Sequence, residues 1–205
     1  MKAVIKAILL DYEARNTAVI AQPGFGKLRE PLLRATHSIR ALHPVSGSGY
    51  FKVLSTETEL QQTPMRAPTV FNFYYPDYVP PDYGTATTNT LAKSSVAAPE
   101  MQLMYETSAI NYSNFMESST RTTYKGGDIK LDLSTEQALV SNNDCTALVD
   151  KLNTVLMGGA MSSTMRSTMI TYLNSTSNIT SGDTLTRARH AVHMIVTSSE
   201  YCTQK

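Results

Sequence analysis

The chain contains no tryptophan and only two cysteines, Cys145 and Cys202, among its 205 residues. It has no C-x-x-C pair, so its cysteines alone form neither a zinc site nor a thioredoxin-like redox motif. Two interpretations stay open, a pair of buried thiols or one disulfide. A disulfide would indicate an oxidising compartment rather than an activity.

The chain also lacks an excess of charge and a long apolar run. Its formal net charge is +1, with dispersed acidic and basic residues, so it offers no electrostatic footprint for a nucleic acid or an anionic membrane. No stretch reaches the roughly 18 apolar residues of a membrane span. Lys6 and Asp11 interrupt the apolar start, unlike in a signal peptide. We expect no nucleic-acid partner, no membrane span and no export signal in this chain.

Strand-like alternation is scarce, and only Ile129 to Leu133 shows it. Apolar residues recur at helical spacing in residues 2–14, 28–43 and 99–119, the last expected to be the central helix. Further helices are expected after Asp144, Ser162 and Asp183, with Gly158-Gly159 ending the first of these. Ser134 with Gln137 fits a capping box, and Thr197 with Glu200 is suited to cap a last short turn. The pattern predicts a mainly α fold, one helical domain over residues 1–205 with at most a short β element.

Residues 44–98 form a long connection rich in proline, glycine, serine and threonine. Such a stretch is unusual unless it wraps a core or binds something. Its residues 66–81 read RAPTVFNFYYPDYVPP, which favours a loop whose rings pack against the second and third helices. Phe71→Ala would then open a cavity and cost ~3 kcal/mol. Alternatively, Tyr74, Tyr75 and Tyr78 form a platform on which a carbohydrate stacks.

Several segments occur in a characteristic order: AILLDYEAR at 7–15, GKLREPLLRATHSIRAL at 26–42, the loop at 67–81, VAAPEMQLMYETSAINYSNF at 96–115, LVDKLNTVLMGG at 148–159 and AVHMIVTSSEYCTQK at 191–205. In this order they resemble the bacterial family known as domain of unknown function 1800. The resemblance implies a mainly helical, often exported protein, hence a periplasmic or extracellular one. The chain resembles only the C-terminal part of the family's usual length, and the resemblance implies no activity.

The resemblance also implies partners. One is the missing N-terminal half of the same family architecture. The other is a product of a neighbouring gene, because family members are frequently encoded beside a member of domain of unknown function family 1501.

Nine residues form the structural signature that we expect to organise the loop: Arg34, Pro68, Phe71, Asn72, Phe73, Pro99, Glu100, Gln102 and Asn111. Arg34 is placed to pair with Glu30 four residues earlier, or to tie its helix to the loop. Glu100 is stabilised by the dipole of the helix that begins near Pro99. Gln102 and Asn111 are suited to hydrogen-bond loop backbone groups.

No catalytic, cofactor or metal site follows from the motifs. His190 and His193 lie three residues apart on one helix, but no third ligand at suitable spacing completes a metal site. Gly24-Phe25-Gly26-Lys27 lacks the spacing of a phosphate-binding loop and is expected to be a flexible turn before the second helix. Glu106 would act as a general acid only if it were buried beside a partner.

These observations predict a structural or partner-binding module. The first helix begins so abruptly that we expect the chain to be truncated at its N-terminus, with an upstream segment to cover the helix's apolar face. Two alternatives stay open. One is a cell-envelope enzyme of hydrolase type whose site lies partly in the missing half, and the other is a carbohydrate- or polymer-binding module.

Overall fold

The fold is mainly α, as the helical periodicity predicts. The structure is a computed structural model that describes residues 1–22, 25–81, 97–121 and 127–204. Its helices are α1 Lys2–Leu9, α2 Tyr12–Arg15, α3 Thr17–Ile20, α4 Pro31–Ala41, α5 Thr56–Glu59, a 3₁₀ helix Pro99–Leu103, α6 Glu106–Arg121, α7 Ser134–Gln137, α8 Thr146–Met157, α9 Ser163–Asn174, α10 Thr184–Val196 and α11 Ser199–Cys202. None of the helices in these ranges is both long and apolar enough to cross a membrane.

Two small antiparallel sheets of two strands each complete the fold. Strand β1 (Lys27–Leu28) pairs with β4 (Thr203–Gln204), and β2 (Pro44–Ser46) pairs with β3 (Ile129–Leu131). Strand β2 and helix α5 lie within the connection predicted to be irregular over residues 44–98, and residues 82–96 of that connection lie outside the described ranges. The β3 strand confirms the short β element that the alternation predicts.

Helix α10 lies at the centre of the core, because it packs against α6, α7, α8, α9 and α11. Its inward face is fully buried at Ala188, Ala191, Val192, Ile195 and Val196. The prediction that the helix of residues 99–119 is central was wrong. That segment is divided into the 3₁₀ helix and α6, since Ser108 Oγ donates to the Leu103 carbonyl (2.8 Å) and accepts from the Tyr105 backbone N–H (3.0 Å) at the break.

Several helix ends follow local sequence signals. Ser162 caps α9 by accepting the Met165 N–H (3.1 Å), and Asp183 caps α10 by accepting the Thr186 N–H (2.9 Å). Gly158 ends α8 with a positive φ of 61°, a conformation that costs glycine little.

Other ends differ from the prediction. Ser134 makes no capping box, because the side chain of Asp132 accepts the Ser134 N–H (3.0 Å) instead. The last turn is capped by Ser198 rather than Thr197, while Glu200 accepts hydrogen bonds from Ser162 (2.6 and 2.8 Å). The helices predicted over residues 2–14 and 28–43 are shorter in the structure than predicted. The first ends at Leu9, and the second begins only at Pro31.

Cys145 and Cys202 are both free and buried, which agrees with the two-thiol interpretation. Burial raises the pKa of the Cys145 thiol.

Helix α1 carries an apolar stripe that the described residues do not cover. No residue of α1 is buried, and Val4, Ile5, Ile8 and Leu9 are between 49% and 64% exposed. An amphipathic helix gains most of its stability by burying such a stripe. The helix therefore presents an unpartnered apolar face.

Candidate functional site

The aromatic loop, defined here as residues 61–81, is attached to the start of α4 by a carboxylate. Glu30 accepts hydrogen bonds from the Tyr74 hydroxyl (2.9 Å) and from Gln62 Nε2 (2.6 Å). Gln62, which is buried, in turn accepts the Leu32 backbone N–H (3.0 Å). Burial and the neighbouring Glu30 raise the pKa of Tyr74 to about 12. These bonds fix the loop to the first turn of α4.

A second attachment comes from the 3₁₀ helix. Gln102 Oε1 accepts the Tyr75 backbone N–H (2.8 Å), and the Ala98 N–H donates to the Tyr78 carbonyl (2.8 Å). Pro99 occupies the first turn of this helix and Glu100 is half-buried there. Asn111, on α6, donates to the Thr58 carbonyl (3.3 Å), a backbone group at α5 rather than in the loop itself.

The tip of the loop is a tight turn over residues 69–72. The Asn72 N–H donates to the Thr69 carbonyl (3.3 Å), and the Phe71 N–H donates to Thr69 Oγ1 (3.1 Å). Asn72 has a φ of 72°, a left-handed conformation that asparagine adopts more readily than most residues. The turn holds Val70 and Phe71 outward, 94% and 55% exposed.

The prediction that the rings of this loop pack into the core was wrong for Phe71. Phe71 and Tyr75 are exposed and lie against each other with ring centroids 6.4 Å apart, and Pro68 is also exposed. Phe73, Tyr74 and Tyr78 are only half-buried. Hydrogen bonds to Glu30 and Gln102, rather than burial of rings, hold the loop in place.

Arg34 is buried beneath this region without a carboxylate partner among the described residues. Its Nη1 contacts Cys202 Sγ (2.7 Å), its Nη2 contacts Met104 Sδ (3.3 Å), and its guanidinium lies 4.2 Å from the centre of the Tyr112 ring. The predicted pair with Glu30 does not form, because that carboxylate is engaged with the loop. Arg34 therefore ties α4 to α6 and α11 instead of to the loop.

A small cleft between α6, α9 and α10 contains the two histidines. It encloses about 260 Å³ and is lined in part by Arg121, Tyr172, His190 and His193. His190 Nδ1 lies 3.2 Å from the Tyr172 hydroxyl, and burial followed by the charge of Arg121 lowers its pKa. Over the described ranges, no three His, Cys, Asp or Glu side chains lie close enough together to share a metal ion.

The nearest approach to a catalytic pair is Ser113 with His193. Nε2 of His193 lies 3.2 Å from Ser113 Oγ, but it also lies 3.3 Å from the Ser113 carbonyl oxygen. A nitrogen that donates to a carbonyl carries a hydrogen and cannot take a proton from the hydroxyl.

Glu106 is exposed at the start of α6, so it lacks the burial that a general acid would require.

The glycine-containing segment before α4 does not open a helix. Gly24 lies outside the described residues, and Lys27 belongs to β1, so the backbone after Gly26 continues as a strand. Backbone N–H groups that bind phosphate are usually those of a helix N-terminus, which this segment does not reach.

Glu30 and Gln62 attach the loop to α4, and the sequence pattern predicted neither of these contacts. Their partners lie up to 44 residues away in the chain, beyond any local spacing rule. The one local signal is the position of Glu30 directly before Pro31, the first residue of α4, where the helix dipole favours a negative charge.

Replacement of the exposed ring tests the corrected loop packing. Phe71→Ala is expected to change the free energy of unfolding by less than about 1 kcal/mol, because little apolar surface is uncovered. The matched variant Phe115→Ala, in the core, is expected to lose about 3 to 5 kcal/mol. Chemical denaturation measures both, and similar losses for the two variants would contradict the assignment of Phe71 to the surface.

Removal of the Tyr74 hydroxyl tests the attachment to Glu30. Tyr74→Phe is expected to lose about 1 kcal/mol at pH 8, because a hydrogen bond to a carboxylate is broken. The pKa of Tyr74 is raised in the folded state. The stability that its hydrogen bond to Glu30 contributes is therefore fully present below pH 10 and is lost as the pH rises to about 12. Denaturation curves of both proteins should therefore converge over that range, and equal stability at pH 8 would contradict the attachment.

A family model described as "Protein of unknown function (DUF1800)" matches residues 1–203. No curated protein and no solved structure matches the chain. The match spans α1, the aromatic loop, the core helices and the first residue of β4, so the chain belongs to the DUF1800 family.

Proposed function

We propose that this chain is a structural or partner-binding module of an exported or cell-envelope protein. The partner is the helical N-terminal region of the same family architecture, and it covers the apolar stripe of α1. The observation that carries this proposal is the stripe itself, four large apolar residues of which none is buried.

The family match supports treating α1 as part of the domain. The matched residues begin at residue 1, so the helix with the exposed stripe lies inside the family's own pattern. Burying one isoleucine side chain is worth about 1.5 to 3 kcal/mol, and Ile5 and Ile8 lie three residues apart on one face of α1. A helical partner could bury several such side chains at once.

The aromatic loop supports a binding role through a second feature. Val70 and Phe71 are exposed although the loop that carries them is held by hydrogen bonds of the Phe71 N–H to Thr69 Oγ1, of the Tyr74 hydroxyl to Glu30 and of the Tyr75 N–H to Gln102. Apolar side chains on a preorganised turn lose little conformational entropy when they bind. The exposed pair of Phe71 and Tyr75 also suits a flat sugar ring, which keeps carbohydrate binding as the second candidate.

A binding measurement tests whether the N-terminal helical region covers the apolar stripe of α1. The chain is mixed with the separately produced N-terminal helical region of a full-length family member, and binding is measured by calorimetry and by light scattering after size exclusion. The double variant Ile5→Ser/Ile8→Ser is expected to weaken binding at least tenfold. The control Val45→Ser/Ile110→Ser removes two exposed apolar side chains from β2 and α6 and is expected to bind as the unmodified chain does.

Three outcomes would contradict the proposal. One is the absence of association, and another is an equal loss in both double variants. The third is turnover in a broad hydrolase screen of a full-length member that is abolished by substitution of the residue equivalent to Glu106 or His190, since this would favour the enzyme alternative.

A further inference from the structure

A groove runs along the outer face of α4 and is independent of the aromatic loop. It encloses about 640 Å³ and is lined chiefly by Arg29, Leu33, His37, Arg40 and Gln204. Leu33, His37 and Arg40 share a face of α4 because they lie at positions three to four residues apart. Gln204 lies in β4, which pairs with β1, so the C-terminal strand forms the opposite wall.

The groove carries cationic groups without acidic neighbours. Among its described lining residues there is no aspartate or glutamate. The nearest carboxylate in the sequence, Glu30, is engaged with Tyr74 and Gln62. The side chain of Arg40 forms no hydrogen bond or ion pair within the described residues. The chain as a whole has a net charge of only +1, so this is a local concentration of positive charge rather than a general property of the surface.

Arg29 is held in position at one end of the groove. Its backbone N–H donates to the Cys202 carbonyl (2.7 Å), and its guanidinium lies 4.6 Å from the centre of the Tyr201 ring. Tyr201 itself is buried and is stacked against His37 with ring centroids 5.9 Å apart. An arginine fixed on an aromatic face is preorganised for a ligand, because less side-chain freedom remains to be lost.

The hydrogen bonds of His37 engage its Nδ1 atom and leave the other ring nitrogen, Nε2, available to a ligand. The Tyr201 hydroxyl donates its one proton to the Arg34 carbonyl (2.9 Å), so Nδ1 of His37 donates to the Tyr201 oxygen (2.9 Å). The contact of Arg29 Nη1 with the same Nδ1 (3.4 Å) is then between two donors and does not satisfy the guanidinium. Nε2 of His37 has no partner among the described residues.

We propose that this groove binds a phosphate group, as free phosphate or a small phosphate ester, between Arg29, His37 and Arg40. A guanidinium presents parallel N–H groups that match two oxygens of a phosphate, and two guanidiniums with an imidazole match its charge. A phosphate would also relieve the mutual repulsion of the cations. Leu33 and Ala41 offer an apolar strip for the organic part of an ester.

The titration of His37 reports whether a phosphate occupies the groove. Burial and then the charge of Arg29 lower the pKa of His37, so the ring is neutral in the free protein near pH 7. The charged and titratable groups that face it are Arg29, Arg40 and Tyr201. A bound phosphate adds negative charge beside Nε2, which favours the protonated ring. Phosphate binding should therefore raise the pKa of His37.

The test is a titration with inorganic phosphate at constant ionic strength, followed by the NMR signals of the His37 ring. We expect a saturable shift and a higher titration midpoint for His37 in the presence of phosphate. Arg40→Gln is expected to weaken binding about tenfold without loss of stability, because Arg40 has no partner to lose. Arg15→Gln removes the same charge from an exposed position on α2 and is expected to leave binding unchanged.

Two results would overturn the proposal. A non-saturable response that both arginine variants reduce equally would indicate general screening of charge rather than a site. Binding to phosphatidylglycerol vesicles without saturable binding of inorganic phosphate would indicate contact with a charged lipid surface instead. These results do not depend on the proposed partner of α1.

Discussion

Arg34 is the buried charge around which the candidate surfaces are arranged. Transfer of a guanidinium into the interior is costly unless other groups replace its hydration. In this chain the face of Tyr112 and the sulfur atoms of Met104 and Cys202 take that role, and no described carboxylate does. The groups come from three separate segments, so the charge is compensated only when α4, α6 and α11 meet.

Helix α4 links this buried charge to both candidate binding surfaces. Its first turn carries the contacts of Glu30 and Leu32 that hold the aromatic loop, and its outer face supplies His37 and Arg40 to the groove. Arg29, two residues before this helix begins, joins it to the end of α11, because its backbone N–H donates to the Cys202 carbonyl. A displacement of α4 would therefore disturb the loop and the groove together, even though they use different residues.

Local signals in the sequence predicted the helical class and several helix ends. Ser162, Asp183 and Gly158 act within five residues of the backbone they cap, so their roles can be inferred from spacing alone. The partners of Arg34 and Glu30 could not be inferred in this way, because Cys202 lies 168 residues from Arg34 and Tyr74 lies 44 residues from Glu30. The exposure of Phe71 was missed for a related reason. Aromatic density indicates a structured loop but does not show which rings face the solvent.

The central claim is that Arg34 positions α4, and amide hydrogen exchange of Arg34→Lys tests it most directly. Lysine keeps the charge but loses the planar group over Tyr112 and the fixed directions of its donors. We expect faster exchange at the amides of Arg29 and Leu32, which bond to Cys202 and Gln62, while the core of α10 stays protected. Unchanged exchange at both amides, as expected for the surface control Arg166→Lys, would contradict it.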